Sequence, residues 1–359
     1  MSDRFKAEAK NSTTSGNPHH PMLSVVVPVF NSSQELSECL AALDESDFED
    51  FEVIVANDGS TESIEQIVAQ HQFRYLKLEG KKGPARARNR GAEVAHGIYV
   101  VFIDADVCVH KDTLRRFAYA FADSPDVAAV LGSYDDSPAH TNFMSQHKNL
   151  FHHYVHQAGH GEAGTFWSGC GAMRRDLFLA FGGFDEERYR RPAIEDIELG
   201  TWMRAAGYRL ILDRNIQAKH LKRWTFWGVV KTDILDRGIP WVRLMWRAGS
   251  SANLLNAVPS QRLSLALVYL TGLSLVATVL WPMAGIIAAL SFFGVTLLNA
   301  DLYHDFMNQR GVWFTLRALP LHWLYFFYCG VALGVGTLLY FIADRGQRAA
   351  PMPPVPRNN

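Results

Sequence analysis

The chain has 359 residues, enough for one large domain with an added segment or for two ordinary domains. Its 35 Lys and Arg residues nearly balance its 36 Asp and Glu residues, so no overall positive charge indicates a nucleic-acid partner. Its four cysteines lack CxxC or CxH spacing, which argues against a zinc site or disulfide framework and favours reduced thiols in a cytosolic compartment.

The distribution of polar and apolar residues divides the chain into five parts. We predict a disordered tail over 1–21, which is polar and has no apolar run of signal-peptide length. A globular domain is predicted over 22–224, amphipathic interfacial helices over 225–258 and a transmembrane region over 259–343. A second polar, Pro-rich tail is predicted over 344–359.

Short β-branched segments alternate with amphipathic segments from Leu23 onwards. The pattern predicts strands at 23–29, 51–56, 75–78 and 98–103, and helices at 34–43, up to about 70, and at 84–95. Ser60, which ends the turn sequence NDGS, is predicted to cap the second helix. Such alternation is typical of right-handed βαβ units in an α/β fold, with a mostly parallel sheet and helices on both faces.

Ligands bind beyond the carboxyl ends of the strands in such sheets. Asn31, Asp58 and Asp104 stand at predicted strand ends and are therefore candidates for a binding site. Further along, the pattern loosens into a predicted strand at 127–133, a His-rich polar stretch and a helix at about 194–206. We expect this part to form a second lobe that completes the cleft.

The tripeptide Asp104-Ala105-Asp106 follows the predicted strand YVVFI. Two carboxylates two residues apart at a strand end can hold Mg²⁺ or Mn²⁺ together with the ribose or diphosphate of a ligand. A DxD string alone is common and is most often a solvated loop. The buried strand before it favours the metal site here.

Two further segments are candidates for nucleotide recognition. Asp58 suits a hydrogen bond from a base N–H, as uracil offers, or an Asx turn that caps the next helix. A helix is predicted to start at Pro84 and carries Arg86, Arg88 and Arg90 in its first turns. Its free N–H groups, its dipole and these arginines favour a diphosphate, although a solvated basic face is an equal alternative.

These segments together resemble the family 2 glycosyltransferases, which have the GT-A fold of nucleotide-diphospho-sugar transferases, over roughly 23–224. The motifs are VVVPVFN with the following Glu35, NDGS, the segment GPARARNRG at 83–91, and DAD. The resemblance implies that the nucleotide pocket is lined by Pro28, Asn31, Glu35 and Asp58. It further implies that Arg88 helps to hold the donor, that Asp106 binds the divalent cation, and that Asp104 lies near the ribose and the cation.

The acidic pair Glu195-Asp196 opens the helix IEDIELG. Two acids at a helix N-terminus are ordinary complements to the helix dipole. The resemblance implies a second role, in which Asp196 is the catalytic base that removes a proton from the acceptor hydroxyl. It also implies that the preceding segment around Gly169 shapes the acceptor and donor-sugar pocket.

The segment His220-Leu221-Lys222-Arg223-Trp224 falls where membrane-bound polysaccharide and ceramide glycosyltransferases carry Q-x-x-R-W. Arg223 and Trp224 match and are expected on the acceptor and diphosphate side of the site. His220 replaces the glutamine, which argues against a processive polymerase. We predict that His220 reaches the metal or the diphosphate, although an isolated histidine is more often a surface or core residue.

Long uncharged runs in the C-terminal third predict two or three membrane helices, at 263–281, 282–298 and 318–343. The first two are expected to form a hairpin that turns near Pro282, and buried helices of a soluble domain are the weaker alternative. Arginines before the first and third runs favour cytoplasmic flanks, whereas Arg345 and Arg348 contradict a simple count of three spans. The Trp- and Arg-containing stretch 225–247 suits either the membrane interface or an ordinary helix covering the catalytic core.

The sequence therefore predicts a multi-pass membrane enzyme whose catalytic domain faces the cytoplasm. It would transfer a sugar with inversion from a nucleotide-sugar, expected to be UDP-linked, to a lipid or lipid-linked acceptor, using Mg²⁺ or Mn²⁺. Three alternatives stay open: a polyprenyl-phosphate glycosyltransferase, a polysaccharide synthase and a non-catalytic membrane scaffold. The sugar, the acceptor and the oligomeric state do not follow from the sequence.

Overall fold

The computed structural model describes residues 20–249 and 259–345. The predicted tails at 1–21 and 344–359 therefore lie outside the described residues apart from their inner ends, and both remain predictions.

In the described part of the chain the strands form one mixed sheet. Their bounds are β1 (Leu23–Val29), β2 (Phe51–Asn57), β3 (Arg74–Lys77), β4 (Tyr99–Ile103), β5 (Val107–Val109), β6 (Val127–Tyr134), β7 (Gly161–Glu162), β8 (Cys170–Arg174) and β9 (Arg209–His220). The order is β3-β2-β1-β4-β8-β6-β9-β5, with β7 paired to β9.

The first half of the sheet is parallel, as the sequence predicts, and the second half is mixed. Strands β3, β2, β1 and β4 all run in the same direction. Strand β8 is antiparallel to both β4 and β6, while β6 and β9 are parallel. The second lobe thus continues the same sheet and does not form a separate domain.

The helices that accompany the sheet are α1 (Ser33–Asp44), α2 (Ile64–Ala69), α3 (Pro84–Val94), α4 (Thr113–Asp123), α5 (Phe143–Ala158), α6 (Arg175–Ala180) and α7 (Glu195–Ala205). They cover both faces of the sheet because successive strand residues point to opposite sides. Val25 and Val27 of β1 pack in one core with Leu36 of α1 and Phe117 of α4. Val26 packs in the other core, with helices α3, α6 and α7.

One predicted cap is wrong. Helix α2 begins at Ile64 and follows Ser63, so Ser60 is too early in the chain to cap it. Gly59 has a φ of +80°, which closes a tight turn before the helix. The Ser60 hydroxyl instead accepts a hydrogen bond from the backbone N–H of Asn31 at 3.0 Å and joins two loops of the cleft.

The segment after the sheet consists of helices α8 (Phe226–Lys231), α9 (Ile239–Ala248), α10 (Pro259–Ala277), α11 (Ala284–Leu298), α12 (Ala300–Arg310) and α13 (Val312–Leu339). A π-helical turn, Thr232–Gly238, joins α8 to α9, and a second one, Tyr340–Asp344, extends α13. The chain turns between α10 and α11, close to the predicted hairpin at Pro282.

Two helical segments, Pro259–Ala277 and Val312–Asp344, are long and apolar enough to cross a membrane. A third span is possible if α11 and α12 count as one, but they meet at a 61° bend. Asn299 lies at this bend, and its side chain donates hydrogen bonds to Ser264 Oγ at 3.0 Å and to the Val295 carbonyl at 2.8 Å. Helix α12 then packs against helix α5 of the sheet-containing domain, where Leu302 and Phe306 share an apolar cluster with Leu150.

Candidate functional site

The predicted site residues meet at the carboxyl ends of β1, β2 and β4. Asp104 directly follows β4, and its backbone N–H donates to the Gly169 carbonyl at 3.3 Å. The chain then turns through Asp106 into β5, which pairs with β9 so that Val107 lies opposite His220. This register brings His220 beside the DAD turn, where its Nε2 lies 3.7 Å from Asp106 Oδ2.

Arg88 connects the two acidic motifs. Its Nη2 donates to Asp104 Oδ1 at 2.5 Å and its Nη1 donates to Glu195 Oε1 at 2.9 Å. The guanidinium is buried, and its Nε has no hydrogen-bond partner among the described residues. Arg88 therefore joins the DAD motif to the acidic pair at the start of α7, and the role of holding the donor, which the resemblance implies for it, stays a prediction.

Burial and the charges of neighbouring groups shift the pKa values of the acids in the cleft. Burial, together with the nearby Asp106 and Asp196, raises the pKa of Asp104 although Arg88 opposes the shift. Burial also raises the pKa of Glu195. For Asp106 burial acts in the same direction, but His220 and Lys222 outweigh it and lower the pKa below its ordinary value. Asp106 is thus an ionised carboxylate at neutral pH.

Asp196 is held from two sides at the start of α7. Its Oδ2 accepts hydrogen bonds from the backbone N–H of Ser168 at 2.8 Å and from the Ser168 hydroxyl at 2.9 Å. Its Oδ1 accepts from the backbone N–H of Ile197 at 2.8 Å. Gly169, which follows Ser168 in the chain, lies against the indole ring of Trp167. A Cβ atom added to Gly169 would be 2.6 Å from that ring.

Asp58 holds the loop that leads into α3. Its carboxylate accepts hydrogen bonds from the backbone N–H groups of Lys82 at 3.0 Å and of Gly83 at 2.6 Å. Arg86 Nη1 lies 3.7 Å from the same carboxylate. The carboxylate thus fixes the entrance to α3 and does not form the predicted Asx turn before α2, where Asn57 Oδ1 accepts the hydrogen bond of the Ser60 backbone N–H at 2.8 Å. Burial raises the pKa of Asp58.

The other predicted pocket residues lie near the same edge. Pro28 is buried in β1 opposite Ala56 of β2. Asn31 is exposed, has a φ of +48° and accepts a hydrogen bond from the Thr61 backbone N–H at 2.8 Å. Glu35 is half-buried in the first turn of α1.

Trp224 and Arg223 have different surroundings. Trp224 is buried, and its backbone is anchored to α5. Its backbone N–H donates to Ser145 Oγ at 2.8 Å, and its backbone carbonyl accepts from Asn142 Nδ2 at 2.8 Å. Lys222 Nζ lies 4.5 Å from the centre of its indole ring. Arg223 is exposed.

A divalent cation suits the hard carboxylate oxygens of Asp104 and Asp106. Among the described residues, no group of three or more His, Cys, Asp and Glu side chains is arranged as a metal site. His220 and the two acids therefore do not form a three-ligand cage. Magnesium and manganese sites commonly use one or two carboxylates and complete their coordination with water and substrate phosphates, so the two acids still fit such an ion.

An aromatic cluster beside the acids was missed by the sequence reasoning. Tyr134 stacks on His220 with ring centres 4.2 Å apart, and it contacts His152 at 4.7 Å and Trp167 at 4.8 Å. We define this set of Tyr134, His152, Trp167 and His220 as the aromatic cluster. Its signal in the sequence is the His-rich helix α5, in which His152 and His156 are four residues apart.

Comparison with known proteins shows which family this chain resembles. Residues 24–181 match the model of the family described as Glycosyl transferase family 2. The chain is 32% identical over 118 residues to Glycosyltransferase GlyG of Streptococcus pneumoniae serotype 4, an alignment covering 32% of this chain and 39% of that protein. It is 37% identical over 100 residues to the Amylovoran biosynthesis glycosyltransferase AmsB of Erwinia amylovora, covering 26% of this chain and 33% of that protein. The aligned part thus spans 39% and 33% of the lengths of these two relatives.

A solved structure shares the fold along most of the chain. It is the mannosyltransferase PcManGT from Pyrobaculum calidifontis in complex with GDP-Man and Mn²⁺. The TM-score is 0.50 at 18% sequence identity, with 95% of this chain and 94% of that chain covered. At this identity the likeness concerns the fold, which is GT-A.

Proposed function

We propose that the protein is a family 2 glycosyltransferase, which the match of residues 24–181 to that family's model supports, and that it transfers a sugar from a nucleotide-sugar, expected to be UDP-linked, to a membrane-associated acceptor. The acceptor group is a hydroxyl of a lipid or lipid-linked glycan, and the transfer inverts the anomeric centre. The catalytic domain faces the cytoplasm. The observation that carries this proposal is the bridge from Asp104 through Arg88 to Glu195, because it joins the proposed cation ligands to the acidic pair that contains the proposed base.

Asp196 is the proposed catalytic base. In an inverting transfer the acceptor hydroxyl attacks the anomeric carbon from the face opposite the diphosphate, and one carboxylate suffices to take its proton. The two hydrogen bonds from Ser168 to Oδ2 and the one from Ile197 to Oδ1 fix the orientation of this carboxylate. Both partners belong to the protein backbone or to a buried side chain, so the base is oriented before substrate binds.

Asp106 and Asp104 are the proposed ligands of a divalent cation. When bound, Mg²⁺ or Mn²⁺ stabilises the negative charge that grows on the leaving diphosphate. His220 and Lys222 keep Asp106 ionised, and Arg88 holds Asp104 in place through a charge-assisted hydrogen bond. The two acids thereby keep the orientation that cation binding requires.

A membrane-associated acceptor is supported by the C-terminal part of the chain. Helices α10 and α13 are long and apolar enough to span a bilayer. Large apolar side chains on this part are exposed, among them Leu280 at 91%, Val279 at 84% and Trp313 at 80%. Exposed apolar surface of this extent is typical of contact with lipid. Trp227 on α8 is 75% exposed and suits the headgroup region.

The test is calorimetric binding of UDP and of GDP to the full chain in detergent, with and without Mn²⁺. We expect Mn²⁺-dependent binding of UDP by the wild type and its loss in Asp106→Asn. Asp123→Asn, which changes an exposed acid on α4, is the matched control and should bind as the wild type does. Absence of binding of both nucleotides to folded wild-type protein would overturn the proposal.

A further inference from the structure

The π-helical turn Thr232–Gly238 is tied to both the catalytic domain and the membrane helices. Asp233 Oδ1 accepts a hydrogen bond from Lys148 Nζ of α5 at 2.6 Å. Asp233 Oδ2 accepts one from the Tyr328 hydroxyl of α13 at 2.7 Å. Both oxygens of this buried carboxylate are therefore occupied. π-helical turns are rare and occur frequently at functional sites.

Arg237 lies four residues after Asp233 and shares its side of the turn. On the facing helix α5, Lys148, His152 and His156 follow one another at four-residue spacing and share one side. Ser145 of α5 contacts Trp224 and Lys148 contacts Asp233, so the two segments run in the same direction and the next turn of each brings Arg237 towards His152. The charge of Arg237 acts on His152: burial, His156 and Arg237 together lower the pKa of His152 well below its ordinary value.

This position borders the cleft that holds the catalytic acids. His152 contacts Tyr134 and Trp167 in the aromatic cluster, at 4.7 Å and 4.8 Å between ring centres. Tyr134 in turn stacks on His220, which contacts Asp106. Trp167 directly precedes Ser168, the residue that orients the proposed base. Arg237 thus lies across the aromatic cluster from the acids, on the side of the membrane helices.

Among the described residues Arg237 forms no direct ion pair, although its charge helps to lower the pKa of the nearby Asp233. Within residues 20–249 and 259–345 it is half-buried and forms no hydrogen bond or ion pair. Other arginines that contact the interfacial helices are paired: Arg191 with Asp236 at 3.1 Å, Arg243 with Asp344 at 2.6 Å and Arg247 with Glu198 at 3.0 Å.

The charges that face Arg237 from its neighbours leave a surplus. The charged neighbours are Asp233 on the same turn and Lys148 on α5, and these two form an ion pair with each other. The histidines opposite are neutral at physiological pH, because burial lowers the pKa of His156 to about 4 and that of His152 well below its ordinary value. His152 Nδ1 is buried without a hydrogen-bond partner. The site therefore combines one uncompensated cation with a free imidazole nitrogen, which suits an anion that also accepts or donates a hydrogen bond.

We propose that Arg237, together with His152, binds a phosphate or phosphodiester group on the membrane lipid that serves as acceptor. The proposal rests on the proposed transferase function and specifies its acceptor. A lipid source is favoured because the turn lies between α8 and α9, whose Trp227 and Trp246 are exposed, and because the apolar Leu235 within the turn is 42% exposed. A lipid bound here places its headgroup beside the aromatic cluster and its chains against the membrane helices.

The test is binding of monomeric short-chain lipids to the full chain in detergent, measured by microscale thermophoresis. Dihexanoyl-phosphatidate is the probe, dihexanoylglycerol is its neutral counterpart, and inorganic phosphate tests the group alone. We expect the wild type to bind the phosphatidate more tightly than either of the others. Arg237→Gln should weaken phosphatidate binding about tenfold or more, since it removes a charge-assisted hydrogen bond. Arg237→Lys, which keeps the charge, should lose less.

Lys231→Gln is the matched control, because Lys231 is an exposed cation of the same interfacial segment. It should bind the phosphatidate as the wild type does. Equal affinity of Arg237→Gln and wild type, or equal affinity for phosphatidate and dihexanoylglycerol, would overturn the proposal. Inorganic phosphate binding as tightly as phosphatidate would overturn the lipid as its source.

UDP binding with Mn²⁺, measured on the same variants, should be unchanged. If the wild type fails to bind any nucleotide but the phosphatidate arms give the expected results, the transferase function falls and the anion site stands.

Discussion

Ser168 determines how the carboxylate of Asp196 is presented to an acceptor. Its hydroxyl and its backbone N–H both donate to Oδ2, and Ser168→Ala removes only the hydroxyl. We expect kcat for transfer to fall about 10- to 100-fold, because a misplaced general base loses part of its contribution to the rate. KM for the nucleotide-sugar should change little. Steady-state kinetics of transfer from the nucleotide-sugar that the calorimetry identifies is the measurement.

Ser24→Ala provides the control for loss of a buried serine hydroxyl. Ser24 also donates to a carboxylate, Glu52 at 2.6 Å, but it stands at the amino end of β1, away from the cleft. Both substitutions should lower stability by about 1–2 kcal/mol. Only Ser168→Ala should lower kcat, and an equal effect on kcat from the two variants would contradict a positioning role.

The sequence predicted the acids of the site but not the side chains that orient them. The three acids Asp104, Asp106 and Asp196 belong to short acidic motifs, and such motifs indicate cation binding or proton transfer from the sequence alone. Ser168 is an ordinary serine in sequence, and its partner is 28 residues away. The contact of Arg88 with Glu195 was not predicted for a similar reason, since only the folded chain brings Glu195 to its second nitrogen.

At the scale of elements, the entrance to α3 depends on a glycine. Gly83 has φ +104° and ψ 163°, a conformation that is nearly restricted to glycine, and its N–H donates to Asp58. A Cβ there would lie 2.6 Å from the Arg190 carbonyl oxygen. Gly83→Ala therefore combines backbone strain with a clash against rigid backbone, and we expect a loss of about 3 kcal/mol or more. Thermal unfolding in detergent should show it, with weaker UDP binding.

Gly80→Ala separates the two causes. Gly80 has a φ of +65°, and a Cβ added to it would meet nothing within 4 Å. This variant should lose only the strain of a left-handed residue, about 1–2 kcal/mol, and keep UDP binding. Equal stability of the two variants would show that the contact with Arg190 contributes nothing.

Elements with a strong local pattern are predicted well, and elements made by distant pairing are not. Strands β1 and β2 begin at the predicted residues because their β-branched runs are continuous. The short strands β5 and β7 were missed, since each exists through pairing with β9, as Val107 does with His220. The bend at Asn299 likewise depends on contacts of the folded chain, which its hydrogen bond to Ser264 illustrates.

At the scale of the whole molecule, the apolar pattern predicted which helices are able to span a membrane. It carries no information about how the catalytic domain is attached to them. The attachment is made by buried polar contacts between distant segments, of which Lys148, Asp233 and Tyr328 form one set. Such contacts have no sequence signature, because a lysine in one helix and an aspartate 85 residues later look like surface residues.

This polar connection gives the last prediction. Lys148 and Asp233 are both mostly buried, so removing one partner leaves an uncompensated charge in an apolar setting. We expect Lys148→Met and Asp233→Asn each to lower the free energy of unfolding by about 3 kcal/mol, while the double variant loses no more than either alone. The asparagine keeps an acceptor for Tyr328, so the double-mutant cycle isolates the charge pair.

The exposed pair Lys111 and Glu45, 3.3 Å apart, should show a coupling below about 1 kcal/mol in an equivalent double-mutant cycle. If thermal unfolding in detergent gives the two pairs equal coupling, the junction between the catalytic domain and the membrane helices is held by its apolar contacts and not by this pair.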